Sequence, residues 1–249
     1  MDKYGLIGYP LGHSFSVTYF NEKFQNEHID AQYINFEIPS IEDLTEVLAS
    51  NPTLRGLNVT IPYKEKVIGY LDELSDEAAA IGAVNVVRIL RKGSKTILRG
   101  YNSDVIGFTR SIEPMLERFH RKALILGTGG ASKAVNVGLQ SLGLETLFVS
   151  RVKRQGMLTY EEVTADLIKE YNVIVNCTPL GMYPKSNVCP ALPYEAMDSR
   201  TILYDLIYNP DETLFLAKGA AQGAATKNGI EMLLLQAFAS WEFWNGKEG

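Results

Sequence analysis

Apolar and polar positions divide the chain into short segments of two kinds. Residues 4–7 form an apolar run stopped by Gly8, Pro10 and Gly12, which predicts a first strand. Val17, Phe20 and Phe24 then recur at helical spacing behind Ser16, a residue type that caps helices well. Residues 32–38 alternate as a strand does, residues 41–48 return to helical spacing, and 55–61 alternate again until Pro62. Segments 85–90 and 95–101 flank Lys92-Gly93 and predict a hairpin. The first part of the chain therefore reads as a mixed α/β domain.

From Asp104 a helical stretch leads to Lys122-Ala-Leu-Ile-Leu-Gly-Thr-Gly-Gly-Ala-Ser132. Here an apolar run (123–126) meets Gly127, Gly129 and Gly130, and residues 131–142 repeat apolar side chains at helical spacing. Strand, glycine turn and helix in that order suit a pyrophosphate: the backbone can approach closely, and the helix start offers unpaired N–H groups. Further strands at 146–149, 173–177 and 201–206, a helix from about Thr213 and a short segment at 224–226 predict a doubly wound parallel sheet of Rossmann type. Residues 230–244 are apolar on nearly every face, which predicts a buried helix at a domain junction.

Composition narrows the partners. The chain has 249 residues, enough for one large or two small domains, and a formal net charge of −5. That balance offers no attraction to nucleic acid or an anionic membrane. Cys177 and Cys189 are too few for a disulfide framework and lack metal-ligand spacing; Cys177 sits in an apolar run and reads as core. The start is no signal peptide, and the apolar patch at 232–239 is too short to span a bilayer, so a cytoplasmic protein is expected.

Candidate chemistry lies where strands end. About 20 residues past the glycines, a dinucleotide fold meets the adenosine ribose, and an acid there selects NAD. This chain has Ser150-Arg151-Val152-Lys153-Arg154 instead, three cations that favour NADP unless they are merely a solvated turn. Asn176-Cys-Thr178-Pro-Leu-Gly-Met182 follows the next strand and puts polar groups where the nicotinamide end would lie. In Gly56–Lys64, alternation sets Leu57, Val59 and Ile61 on one face and Asn58 and Thr60 on the other, with Lys64 just past Pro62. A polar stripe leading to a lysine at a strand end builds sites in open α/β sheets, although an edge strand with a surface lysine has the same pattern. Asp104 also reads as a helix N-cap, 82–85 as a turn, Ser14 and Ser16 as loop and cap, and His13 as structural.

Taken together, Ser14-Phe-Ser16, Asn-Val-Thr-Ile-Pro-Tyr-Lys at 58–64, Gly-Ala-Val-Asn at 82–85 and Asn-Ser-Asp at 102–104 resemble the shikimate dehydrogenases. Gly-Thr-Gly-Gly-Ala-Ser at 127–132, the 176–182 block, Tyr-Asn-Pro at 208–210 and Asn-Gly-Ile-Glu-Met-Leu-Leu-Leu-Gln at 228–236 extend the resemblance along nearly the whole chain. It implies reversible NADP-linked reduction of 3-dehydroshikimate to shikimate in aromatic amino-acid biosynthesis. It further implies a substrate domain of 1–102 plus 229–249, a Rossmann-type NADP domain of 103–228, and a monomer or homodimer.

By the family pattern Lys64 and Asp104 are the catalytic pair. Ser14, Ser16 and Tyr208 would hold the substrate carboxylate, and Asn58, Thr60, Asn85 and Gln236 the ring hydroxyls. Gln236 also fits physically, since an amide in an apolar helix needs a partner. Gly127, Thr128, Gly129, Gly130, Ala131, Ser150, Arg151, Arg154, Thr178, Met182 and Gly229 would bind the cofactor. The chain departs from the family at Val17, where proline is usual, at Val86 after Asn85, at Ser103 for threonine, and at Ser150, where asparagine is common. The last departure loosens the expected preference for NADP. The remaining alternatives are a quinate/shikimate dehydrogenase, a non-catalytic shikimate-binding relative, and a folate-linked dehydrogenase.

Overall fold

The structure, a computed structural model, describes residues 1–12, 14–93 and 95–247; His13 lies outside them. The chain forms two compact units, Met1–Ser103 with Ala237–Gly249, and Asp104–Gln236.

The first unit begins β1 (Asp2–Gly8), α1 (Phe15–Asn26), β2 (Ala31–Glu37), α2 (Leu44–Ser50) and β3 (Leu54–Val59). It continues β4 (Glu73–Leu74), α3 (Asp76–Ile81), β5 (Val86–Lys92) and β6 (Lys95–Tyr101). The sheet order is β2-β1-β3-β5-β6-β4; β1 pairs parallel with β2 and β3, and β3, β5 and β6 run antiparallel in turn. One face packs Ile7, Leu57, Val59 and Val87 against Leu44 of α2. The other carries rings: Tyr4, Phe20 and Tyr33 lie 4.8, 5.2 and 6.2 Å from Trp244 between ring centroids. Gly56 admits that indole, because a side-chain carbon there would sit 2.3 Å from it.

Three local expectations are corrected. The helix starts at Phe15 with Ser14 in the N-cap position, so Ser16 lies inside the first turn and is not the cap. β3 ends at Val59, and Ile61, expected to share a face with the buried Leu57 and Val59, is 75% exposed. The segment before Asn85 is not a simple turn: it follows α3, capped by Ser75 and closed by Gly82 at φ 68°.

The second unit contains α4 (Ser103–Ile112), which starts at the boundary, then β7 (Lys122–Leu126), α5 (Gly130–Ser141), β8 (Glu145–Ser150) and β9 (Met157–Thr159). It continues α6 (Ala165–Glu170), β10 (Val173–Asn176), β11 (Ile202–Asp205), α7 (Leu214–Ala220), β12 (Ala225–Lys227) and α8 (Ile230–Trp244). All six strands are parallel in the order β12-β11-β10-β7-β8-β9. Leu124 and Leu126 of β7 enter one core and Ala123 and Ile125 another, so the sheet is covered on both faces. Strand order reverses between β7 and β10, the place where such sheets bind ligands. One connection is unusual. Only residues 151–156 join the parallel strands β8 and β9, where a crossover usually takes a dozen or more and a helix.

α8 has the predicted limits, but its burial is uneven. Ile230, Leu234 and Phe238, one row at four-residue spacing, are 39, 41 and 45% exposed. The unit boundary falls inside this helix, between Gln236 and Ala237, whereas the resemblance implied a boundary at residue 229. Among the described residues no helix is long and apolar enough to cross a membrane.

Candidate active site

In the first unit, candidate residues gather where β1 and β3 end. Thr60 donates its N–H to the Ile7 carbonyl (2.9 Å), and a side-chain carbon at Gly8 would lie 2.5 Å from Thr60 Cγ2. The following turn is anchored by Tyr63, whose buried ring donates through its hydroxyl to the Ile38 carbonyl (2.6 Å). Lys64 comes next, half-buried, and its carbonyl accepts from Val84 N (2.7 Å), which ties it to the segment leading to Asn85.

Asn58 and Asn85 belong to one buried hydrogen-bonded group. Tyr33 Oη meets Asn58 Oδ1 at 2.8 Å, while Asn58 Nδ2 donates to Ser240 Oγ (3.0 Å) and the Asn85 carbonyl (3.3 Å). Asn85 Oδ1 accepts from Ser103 N (2.7 Å), its Nδ2 donates to Ser103 Oγ (3.0 Å), and Ser103 Oγ lies 3.1 Å from Ser240 Oγ. Burial drives the Tyr33 phenol far above its ordinary range, so Tyr33 stays neutral. The structure thus brings Asn58 and Asn85 together. Ser14 is the N-cap residue of α1, its side chain making no capping bond.

Tyr33 and Ser240 escaped the sequence reading. Ser240 carries the signal that singled out Gln236, a polar residue in an apolar helix. Tyr33 carries none, because a tyrosine within an alternating strand reads as packing.

The second unit holds the glycine turn. Gly127 has φ 103°, donates to the Val149 carbonyl (2.9 Å), and has Thr178 Cγ2 3.1 Å from where a side-chain carbon would sit. Gly129 is the N-cap of α5, Gly130 its first residue, and no carboxylate stands in its first turn. Thr128 and Ala131 are half-buried beside them. The helix N-terminus therefore faces outward with donors and without a competing anion.

At the end of β8, Ser150 is buried and accepts from Val152 N (3.3 Å), and beyond it Arg151 and Arg154 are exposed. The expected trio of cations becomes a pair, because Lys153 bonds both Glu162 oxygens at 2.6 and 2.7 Å. Those bonds hold the Glu162 carboxyl below its usual range.

Asn176 organises the next strand end. Its Oδ1 accepts from Thr178 N (3.0 Å) and Thr178 Oγ1 (2.7 Å), and its Nδ2 donates to Asp205 Oδ1 (3.0 Å). Asp205 also accepts from Ile207 N (3.1 Å) and Thr213 Oγ1 (2.6 Å). Burial pushes its carboxyl up to about 6 against those bonds. Met182 and Tyr208 stand exposed on two loops joined by Tyr183 N donating to the Asn209 carbonyl (3.2 Å).

Gly229 is sterically required, since a side-chain carbon there would lie 2.1 Å from the Leu206 carbonyl oxygen. Gln236 groups with this unit, not with the substrate domain as implied, and its Nε2 donates to Leu233 O (3.0 Å). Asp104 is not the N-cap: it is the second residue of α4, 5% exposed, where the helix dipole favours a carboxylate.

Residues 6–87 match the family model for the shikimate dehydrogenase substrate binding domain. The NADP(+) shikimate dehydrogenase of Methanococcus maripaludis is 38% identical over 259 residues, spanning 97% of this chain and 90% of that one. The chain belongs to the shikimate dehydrogenase family. A chorismate mutase/shikimate 5-dehydrogenase fusion protein from Clostridium acetobutylicum superposes with TM-score 0.86 at 36% identity, covering 98% of this chain and 91% of that one. The Thermus thermophilus shikimate 5-dehydrogenase, solved with NADP(H) and shikimate, gives TM-score 0.85 at 29% identity over 99% of this chain and 94% of that one. The stretch matched to the family's substrate binding domain contains Ser14, Ser16, Asn58, Thr60, Lys64 and Asn85.

Proposed function

We propose that this family member catalyses the reversible NADP-linked reduction of 3-dehydroshikimate to shikimate, with most substrate contacts supplied by the first unit and the cofactor held by the second. The observation that carries the substrate half is the buried group joining Asn58 and Asn85 through Tyr33, Ser103 and Ser240. Dinucleotide binding alone has no use for it, and a polyhydroxylated ring carboxylate needs such a dense set of neutral partners. The second unit fits NADP in its own terms: an acid-free helix start behind Gly127, and Arg151 and Arg154 where an NAD-selecting acid would stand.

NADPH supplies the hydride to the carbonyl carbon. The protein's task is then the proton that the resulting alkoxide requires. Lys64 and Asp104 share that relay at the C3 oxygen, the ammonium also opposing the developing charge. Ser14, Ser16 and Tyr208 hold the carboxylate; Asn58, Thr60, Asn85 and Gln236 orient the ring. Gly127, Thr128, Gly129, Gly130 and Ala131 receive the pyrophosphate, Ser150, Arg151 and Arg154 the 2′-phosphate, and Thr178, Met182 and Gly229 border the nicotinamide. The test is oxidation of shikimate by NADP+, with quinate in parallel. Saturable NADPH formation with shikimate, and much less with quinate, is expected; equal rates would move the reading to a quinate/shikimate enzyme.

A further inference from the structure

We infer that Tyr33 and Ser240 are positioning residues that lock the side-chain amide of Asn58 in one orientation, leaving it a single acceptor site for a substrate hydroxyl. The inference rests on the proposed function and deepens it, since it states the polarity of one substrate contact.

A side-chain amide has two N–H donors and one oxygen with two lone pairs. The Asn85 carbonyl, 3.3 Å from Asn58 Nδ2, can only accept, so it fixes which end of the Asn58 amide faces it. The flipped amide would set two acceptors against each other. With Nδ2 on that side, its second hydrogen goes to Ser240 Oγ at 3.0 Å, and both donors are spent. Oδ1 then faces Tyr33 Oη at 2.8 Å, and the phenol must be the donor. The phenol gives its only hydrogen to Asn58. Direction therefore runs from Tyr33 to Asn58, and on to Ser240 and the Asn85 carbonyl.

What Asn58 retains for a ligand is one lone pair on Oδ1. It accepts from a hydroxyl and has nothing to donate to a carbonyl or ether oxygen. Tyr33 is 1% exposed and Ser240 0%, so neither reaches the ligand itself; they act through Asn58.

The test uses Tyr33→Phe and Ser240→Ala in the full chain, assayed with NADP+ against shikimate and against shikimate analogues lacking single ring hydroxyls. Each variant should raise KM for shikimate about tenfold, equivalent to about 1.4 kcal/mol. KM for NADP+ should not change and kcat should stay within about twofold. For the analogue lacking the hydroxyl that Asn58 receives, the penalty should vanish. A merely structural role would lower the melting temperature and penalise every substrate alike, and that outcome overturns the inference, as does an unchanged KM in both variants. If wild-type protein oxidises no shikimate, the proposed function fails separately. Calorimetric titration of shikimate into the three proteins then decides the inference, and equal affinities overturn it.

Discussion

At the scale of single residues, the same residue type does different work at different places. Gly56 and Gly129 show this most directly. A side-chain carbon at Gly56 would collide with the Trp244 ring at 2.3 Å, and that ring is enclosed by Tyr4, Phe20 and Tyr33. Gly56→Ala should lower unfolding free energy by about 1–3 kcal/mol, measurable by urea denaturation. At Gly129, φ is −82° and no heavy atom would lie within 4 Å of an added carbon. Gly129→Ala should therefore unfold like wild type yet bind NADP+ more weakly, as titration would show; unchanged affinity would remove close pyrophosphate approach from its role. Lys64→Ala should lower kcat by about 10² with a smaller change in KM, as expected for a group acting mainly in the transition state. A change confined to KM would make Lys64 a binding residue. Arg151→Ala should raise KM for NADPH and leave NADH little affected. Lys153→Met should affect neither much, because Lys153 is already spent on Glu162.

At the scale of elements, segments with a clear period or an apolar run were legible and several of the shortest were not. The hairpin of β5 and β6, the glycine turn between β7 and α5, and the limits of α8 follow from periodicity and turn residues. The two-residue β4, three-residue β9 and six-residue α3 and α6 are too short to display a period. Alternation also continued past the strand it described: Val59 is core and Ile61 is exposed, because pairing stops before Pro62. Of the site, the strand-end residues were legible from type and position. Tyr33, Ser240 and Asp205 were not, since what matters about them is a partner far away in sequence.

Asp205 joins the ends of β10 and β11 to Thr213, the cap of α7, and its pH dependence has a definite sign. Its folded pKa, about 6, lies above the ordinary 3.8. The folded state therefore holds this proton more tightly, and the resulting stability is full below 3.8 and lost as pH rises through about 6. Glu145, Glu162 and Glu231 have lowered values and act with the opposite sign. The difference between wild type and Asp205→Asn isolates the effect. Urea midpoints should fall more steeply for wild type than for the variant as pH rises from about 4 to about 7; parallel curves would contradict the assignment.

At the scale of the whole molecule, the division of labour was legible because each unit carries its own kind of chemistry. The first offers neutral hydroxyls and amides, and the second offers a glycine turn, a helix start and arginines. The dividing line was less legible, since α8 is one uninterrupted helix and nothing in its pattern marks the passage at Gln236. Its exposed row of Ile230, Leu234 and Phe238 was hidden for a related reason: a helix apolar on all sides carries no sign of which side stays open. In the proposed reaction the two chemistries act together. Its most direct measurement is the rate of NADPH oxidation by purified protein as a function of 3-dehydroshikimate, with shikimate quantified as product. Saturable consumption, one shikimate formed per NADPH and a clear preference over NADH are expected. Folded protein that oxidises no NADPH above the blank, or forms no shikimate while doing so, would contradict the proposed reaction.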